Sequence, residues 1–250
     1  PQDLLGVEWI KKSLDARDKA RPAFVYVVDA TFRKSVRGER PSFPAIPTLP
    51  TGSRQDPRPV VVGAGPAGLF ASLTLVQAGL SPIVLEQGRP VEERSQDVER
   101  FWSDGVLDPA SNIQFGEGGA GAFSDGKLTT RIGDPRCRGV LKMLHSLGAP
   151  EDILTSAKPH IGTDILRRVV ENAAERLTGL GGEIRYHTAL TELPMRSGEV
   201  GRIMTDGGEI ECGAVVLAVG HSARDTYSMI MRRGYEVVPK AFSMGLRIEH

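Results

Sequence analysis

Apolar positions fall in short unbroken blocks between Pro59 and Gly88, where the chain reads PVVVGAGPAGLFASLTLVQAGLSPIVLEQG. Val60–Val62 reads as a buried strand, the glycines after it as a tight turn, the next apolar segment as a helix, and the block ending at Glu86 as a second strand. Ahead of this unit, AFVYVVDATF (23–32) is rich in β-branched and aromatic residues, and with 7–17 it predicts two further strands. Two strands cannot close a core, so they are expected to belong to a small N-terminal α+β unit cut at its start. Six prolines between residues 38 and 59 predict an extended linker.

Beyond Gly88 the pattern predicts a helix over 91–103, a glycine-rich stretch over 116–130, and a helix over 136–147. In GTDILRRVVENAAERLTGLGG, residues Ile165, Leu166, Val169, Val170, Ala173 and Leu177 form one apolar stripe. Thr163 suits the N-cap, and glycines 179, 181 and 182 end the helix. EIRYHTALTEL, VGRIMT and GEIECGAVVLAVG read as strands, the last two joined by an Asp-Gly-Gly hairpin turn. The expected division is an incomplete N-terminal unit (1–37), a linker (38–58), a Rossmann-like domain (59–225) and the start of a substrate domain (226–250).

Composition narrows the function classes. Lys+Arg and Asp+Glu are both 31, so no global field draws the chain to nucleic acid or an anionic membrane. The first 58 residues hold 11 basic and 7 acidic side chains, a mild excess that a solvated face explains. Cys137 and Cys212 stand 75 positions apart with no C-x-x-C, which suits a reducing compartment, and a cytoplasmic location is expected. The longest apolar run, AVVLAV (214–219), is too short to span a bilayer, and no signal peptide is visible. The histidines and cysteines show no zinc-ligand spacing, and Ser222 in GHSAR is not a nucleophile elbow.

The strong motif is Gly63-Ala-Gly65-Pro66-Ala67-Gly68, set between a predicted strand and a predicted helix. Gly63 permits the turn, Gly65 lets the backbone approach a pyrophosphate, and Gly68 lets the helix pack close to the sheet. The helix N-terminus adds free N–H groups and a positive dipole end. Glu86 ends the next strand, 18 residues past Gly68, where its carboxylate can accept ribose hydroxyls. Its charge opposes a 2′-phosphate, so FAD or NAD is expected rather than NADP. GEGGAGAFSDGKLTT (116–130) also contains G-x-x-x-x-G-K from Gly121, but Leu128 stands where a triphosphate loop needs Ser or Thr for Mg²⁺.

The segment from Val60 to Gly88 resembles the opening of the glutathione-reductase-type two-dinucleotide-binding flavoproteins. VVLAVG (215–220) is similar to their ATG turn, with Ala218, Val219 and Gly220 in its place. SNIQFGEGGAGAFSDGKLTTRI, KPHIGTD, AVGHSARDTY and FSMGLRIEH, in that order, resemble a largely uncharacterised family of FAD-dependent dehydrogenases. The resemblance implies an α/β fold. A Rossmann-like FAD-binding domain, a parallel sheet with a β-meander, would follow the small α+β N-terminal unit. Flavoproteins of this type close the flavin site with a late Gly-Asp motif. Here the one Gly-Asp is Gly133-Asp134, which reads as a turn, so the chain is expected to be a fragment of a longer one.

The resemblance also implies a flavoprotein oxidoreductase acting on a small-molecule substrate that it does not identify, with NAD(P)H as a candidate electron donor. FAD would extend across Gly63–Gly68, Glu86, Gln87 and Arg89, with Arg94 near its edge. Glycines 118, 119 and 121 would meet its pyrophosphate and ring. Leu190 would contact adenine through its backbone, and Ala218 and Gly220 would pass close by. His221 is a candidate proton donor or acceptor, or a cap on the turn. Lys127 is a candidate for offsetting charge near the flavin. Arg224, Lys158 and His160 are weaker candidates for phosphate or substrate contact. Two other readings stay open: an RNA-modifying flavoprotein, disfavoured because the near-neutral charge leaves no nucleic-acid partner expected, and a non-catalytic dinucleotide sensor.

Overall fold

The structure is a computed structural model that describes residues 3–34, 57–130, 132, 134, 136–196 and 198–241. Most of the proline-rich segment, Gly133 and the terminal FSMGLRIEH lie outside the described residues. The centre is a four-stranded parallel sheet of β3 (Val60–Val62), β4 (Ile83–Leu85), β5 (Glu183–Arg185) and β9 (Val215–Leu217), in the order β5-β4-β3-β9. Helix α1 (Pro66–Gln77) connects β3 to β4. Helices α2 (Val91–Asp104), α3 (Arg136–Ser146) and α4 (Thr163–Gly179) lie between β4 and β5.

Alternation along β3 and β4 explains their unbroken apolar runs. Val61 and Val84 share a buried cluster with Leu69 and Leu73 of α1 and Val169, Val170, Ala173 and Leu177 of α4. Val60, Val62, Ile83 and Leu85 share a second cluster with Leu190, Leu193, Ile203 and Met229. Both faces of the sheet are thus covered, as a parallel sheet requires. The second cover is an antiparallel sheet of β6 (Leu190–Glu192), β7 (Arg202–Thr205) and β8 (Gly208–Glu211), the expected meander.

Four expectations need correction. EIRYHTALTEL is two strands, because the chain leaves the parallel sheet after Arg185, turns through His187 at φ +51°, and joins the meander at Leu190. GEIECGAVVLAVG likewise divides between β8 and β9, which lie in different sheets. Gly162, not Thr163, holds the N-cap position of α4, and the Thr163 hydroxyl donates instead to the Ser124 carbonyl at 2.9 Å. Ile165 is 37 % exposed and leaves the stripe. Helix α5 (Arg224–Arg232) follows, and its Met229 packs into the second cluster.

At the other end, β1 (Leu4–Asp15) and β2 (Ala23–Phe32) form an antiparallel ribbon, and no helix occurs within residues 3–34. The Lys12 N–H donates to the Thr155 carbonyl at 2.7 Å and the Ala157 N–H to the Lys12 carbonyl at 2.9 Å, which ties the ribbon to the body.

Helix α1 sits so close to the sheet that a Cβ on Gly68 would lie 1.8 Å from the Gly63 carbonyl oxygen. Gly68→Ala must push helix from turn and should cost about 3 kcal/mol or more of stability, read as a lowered midpoint in chemical denaturation.

Candidate functional site

Residues Gly63–Gly65 carry the chain from β3 into α1. Gly63 has φ +101°, and a Cβ there would lie 2.5 Å from the Ala218 carbonyl oxygen, so the turn and the end of β9 touch through backbone alone. Pro66 opens α1, where its missing N–H leaves nothing unpaired, and no side chain caps the helix. The first turn of α1 therefore offers free N–H groups beside the cleft described below.

Glu86 follows β4 directly and is 5 % exposed. One carboxylate oxygen accepts the Ala64 N–H and the other the Gly88 N–H, each at 2.9 Å. Each oxygen retains further acceptor capacity. Among the described residues Glu86 forms no ion pair.

The glycine-rich stretch forms the opposite wall. Gly119–Phe123 make a short 3₁₀ turn rather than an open loop. A Cβ on Gly119, at φ +59°, would lie 3.2 Å from both Gly65 Cα and Pro66 Cδ, and the Gly118 N–H donates to the Ala64 carbonyl at 2.9 Å. Between the walls lies a cleft of about 740 Å³. Of the residues singled out in the sequence, Gly63, Gly65, Pro66, Ala67, Glu86, Gln87, Gly119, Gly121, Leu190, Ala218, Gly220 and His221 line it. Gln114, Phe115, Thr188 and Tyr227 also line it. No spacing rule marks these four, because each comes from a turn or helix end that tertiary packing delivers.

Five expected residues lie elsewhere. Gly68 packs behind the turn, and Gly118 faces Ala122 and Val170. Arg89 is ion-paired to Asp97 at 3.3 Å and approaches Asp108 at 3.8 Å. Lys127 is 73 % exposed and pairs with Asp125 at 2.7 Å, so its charge is spent in solvent outside the cleft. Arg94 is wholly buried beneath the glycine wall, and its donors go to backbone carbonyls instead of the cleft. Lys158, His160 and Arg224 do not line the cleft either. At the rim, His221 Nδ1 lies 3.0 Å from the Ser222 hydroxyl, and the Tyr227 hydroxyl donates to the Gly220 carbonyl at 3.0 Å.

Behind the wall lies a buried carboxylate that the pattern of the chain did not single out. Glu117 accepts the Tyr186 hydroxyl at 2.5 Å and the Val91 N–H, at the start of α2, at 2.8 Å. Burial pushes its carboxyl above the usual range against these two bonds, with Glu86 and Glu171 adding to the rise. Burial also brings Arg94 down to about 10, opposed by Glu86 and Glu117, so it stays charged at neutral pH. Tyr186 is raised by burial and by Glu117, and it stays a neutral donor.

The two walls and the acid between them belong to one matched unit. Residues 58–122 match the family model of the FAD binding domain. The chain carries an FAD-binding domain. Over its whole length it is 45 % identical to an uncharacterized protein of Clostridium beijerinckii (strain ATCC 51743 / NCIMB 8052), and it spans 49 % of that relative. Among solved structures, it resembles THI4 of Thermovibrio ammonificans at 15 % identity and a TM-score of 0.46. That alignment covers 71 % of this chain and 62 % of the other. The GidA-related protein of Thermus thermophilus aligns at 20 % identity and a TM-score of 0.38, over 65 % and 52 % of the two chains. At these TM-scores neither bears on function. No helix among the described residues is long and apolar enough to cross a membrane.

Glu117→Gln keeps the shape of the FAD-binding domain's buried acid and removes its ionisation. The raised carboxyl means that the folded wild type holds this proton more tightly than the unfolded chain does. Wild-type stability therefore falls as pH rises from the ordinary carboxylate range through the raised value. The Tm of the variant minus that of the wild type should grow across this window in thermal unfolding series, and a flat difference would exclude the assignment.

Proposed function

We propose that the chain is the cofactor-holding part of an FAD-dependent oxidoreductase, a dehydrogenase of small molecules. The observation that carries the reading is the approach of Gly119 to Gly65, two glycine loops from separate parts of the chain that meet without a side chain between them and line one cleft. A flat or anionic group can reach backbone N–H groups there that any Cβ would screen.

The residues present fit FAD. Gly63, Gly65, Pro66 and Ala67 would seat the pyrophosphate at the start of α1. The spare acceptor positions of Glu86 would take the ribose hydroxyls, with Gln87 beside it, and a 2′-phosphate would meet a buried carboxylate that has no ion-pair partner among the described residues. Leu190 would lie along the adenine, and Ala218 and Gly220 would border the cofactor from the β9 side. His221 would exchange protons at the rim, aligned by Ser222. Gly121 and Gly119 would line the opposite side. When bound, FAD supplies hydride transfer through its flavin ring, while the chain binds, orients and shields it. NAD(P)H is the proposed electron donor.

The full-length protein should purify yellow. A colourless protein that takes up no flavin on refolding with FAD would overturn the reading. Reduction of the bound flavin by NADH or NADPH, with turnover of an acceptor dye, separates an enzyme from a sensor. A steeply salt-dependent RNA shift would instead indicate a nucleic-acid substrate. Gly119→Val, which forces a branched side chain into φ +59° against Gly65, should raise the FAD Kd by about tenfold or more in fluorescence titration.

A further inference from the structure

Arg94 is fully buried and forms no ion pair among the described residues. Its Nε donates to the Asn112 carbonyl at 2.8 Å. Nη1 donates to Glu117 at 2.6 Å and Gly119 at 2.8 Å, with Gly116 at 3.4 Å, and Nη2 donates to Ile113 at 3.0 Å. The guanidinium also stacks 4.7 Å from the Phe123 ring centre, which fixes its plane. A single side chain on α2 thus gathers five carbonyls of the segment from Asn112 to Gly119.

That grip orients the wall. In a trans peptide the C=O and the following N–H point in opposite directions. Because the Gly119 carbonyl is drawn to Arg94, the Ala120 N–H is turned the other way, and Gly119, Ala120 and Gly121 are the residues that line the cleft. The described lining contains no lysine or arginine. An anion in the cleft therefore meets backbone, with a fixed cation directly behind it.

Resting on the FAD reading of the cleft, we propose that Arg94 is a positioning residue for the cofactor's pyrophosphate. It holds the carbonyl oxygens of Gly116, Glu117 and Gly119 away from the phosphates and leaves the wall presenting N–H groups. Charge alone does not suffice. Lysine offers a compact ammonium with three donors, which does not reproduce a five-donor planar fork spread over five carbonyls.

The test uses full-length Arg94→Lys beside the wild type. Wild-type binding of FAD checks the cofactor reading separately. If the wild type binds FAD, the variant should show FAD and ADP Kd values raised by about tenfold. Adenosine, which has no phosphates, should bind within about twofold of wild type, and the Tm without FAD should move by only a few degrees. Unchanged FAD affinity, or equal weakening for ADP and adenosine, would overturn the proposal. Hydrogen exchange on the wild-type apoprotein gives a second reading should the variant not fold. Amides of Glu117, Gly118 and Gly119, which donate to the carbonyls of Arg89, Ala64 and Gly116, should be protected before FAD is added. Free exchange of these three amides in the apoprotein would overturn the proposal, because the wall would then be ordered by FAD and not by Arg94.

Discussion

A buried guanidinium without a carboxylate to pair with must give its donors to the backbone, and this constraint shapes the site. A long surface arginine would sample many rotamers and hold nothing. At position 94 burial removes water as a competitor, so each carbonyl lost would leave a charged donor unsatisfied, at roughly 1–3 kcal/mol or more. The chain from Asn112 to Gly119 is therefore wrapped around one fixed point. The glycines of this segment gain meaning from that wrapping. A Cβ on Gly116 would lie 2.5 Å from Arg94 Cδ, so the backbone could not come close enough to be held.

The same logic of backbone against backbone governs the other wall. Gly63 touches Ala218, Gly68 touches Gly63, and Gly65 meets Gly119 beside the cleft. Glu86 spans the end of β4 and the turn after β3 through its two N–H acceptor contacts. The parallel sheet brings these pieces to one edge because β4, β3 and β9 are neighbours in register, with Val62 beside both Leu85 and Leu217. Turns from the carboxyl ends of adjacent strands then open onto the same cleft, the usual location of ligand sites in such sheets.

The parts legible in the sequence are those in which local pattern and tertiary role coincide. The strand-turn-helix-strand unit from Val60 to Glu86 could be read because glycine spacing and apolar blocks are local signals, and Gly63, Gly65, Pro66, Ala67 and Glu86 line the cleft while Gly68 does not. The apolar stripe of α4 was legible for the same reason, except Ile165. Residues 183–193 and 208–220 each read as one strand, yet each divides between two sheets. Nothing in local propensity reveals that a chain changes sheets between two apolar runs. The charged residues were the least legible. Arg94 and Lys127 are both cations near the same glycines, yet one is sealed among carbonyls and the other pairs with Asp125 in solvent. Burial of a whole segment decides between these fates, and no spacing rule carries it.

Electrostatics along the cleft add a constraint that neither wall supplies alone. Glu86 is a carboxylate in the described lining, and the cation nearby, Arg94, is screened from the cleft by the peptides it holds. A ligand with a terminal phosphate beside Glu86 would place like charges together in a poorly solvated space. A ligand whose anionic group instead lies between α1 and the glycine wall, with neutral hydroxyls toward Glu86, satisfies both ends. In the proposed reading this is the charge order of a dinucleotide, which carries its phosphates in the middle and sugars on either side. Glu117 makes the order sharper. Burial is the main cause of its raised carboxyl, so the interior behind the wall stabilises charge poorly, and in the proposed reading anion affinity comes from oriented N–H groups on the cleft side.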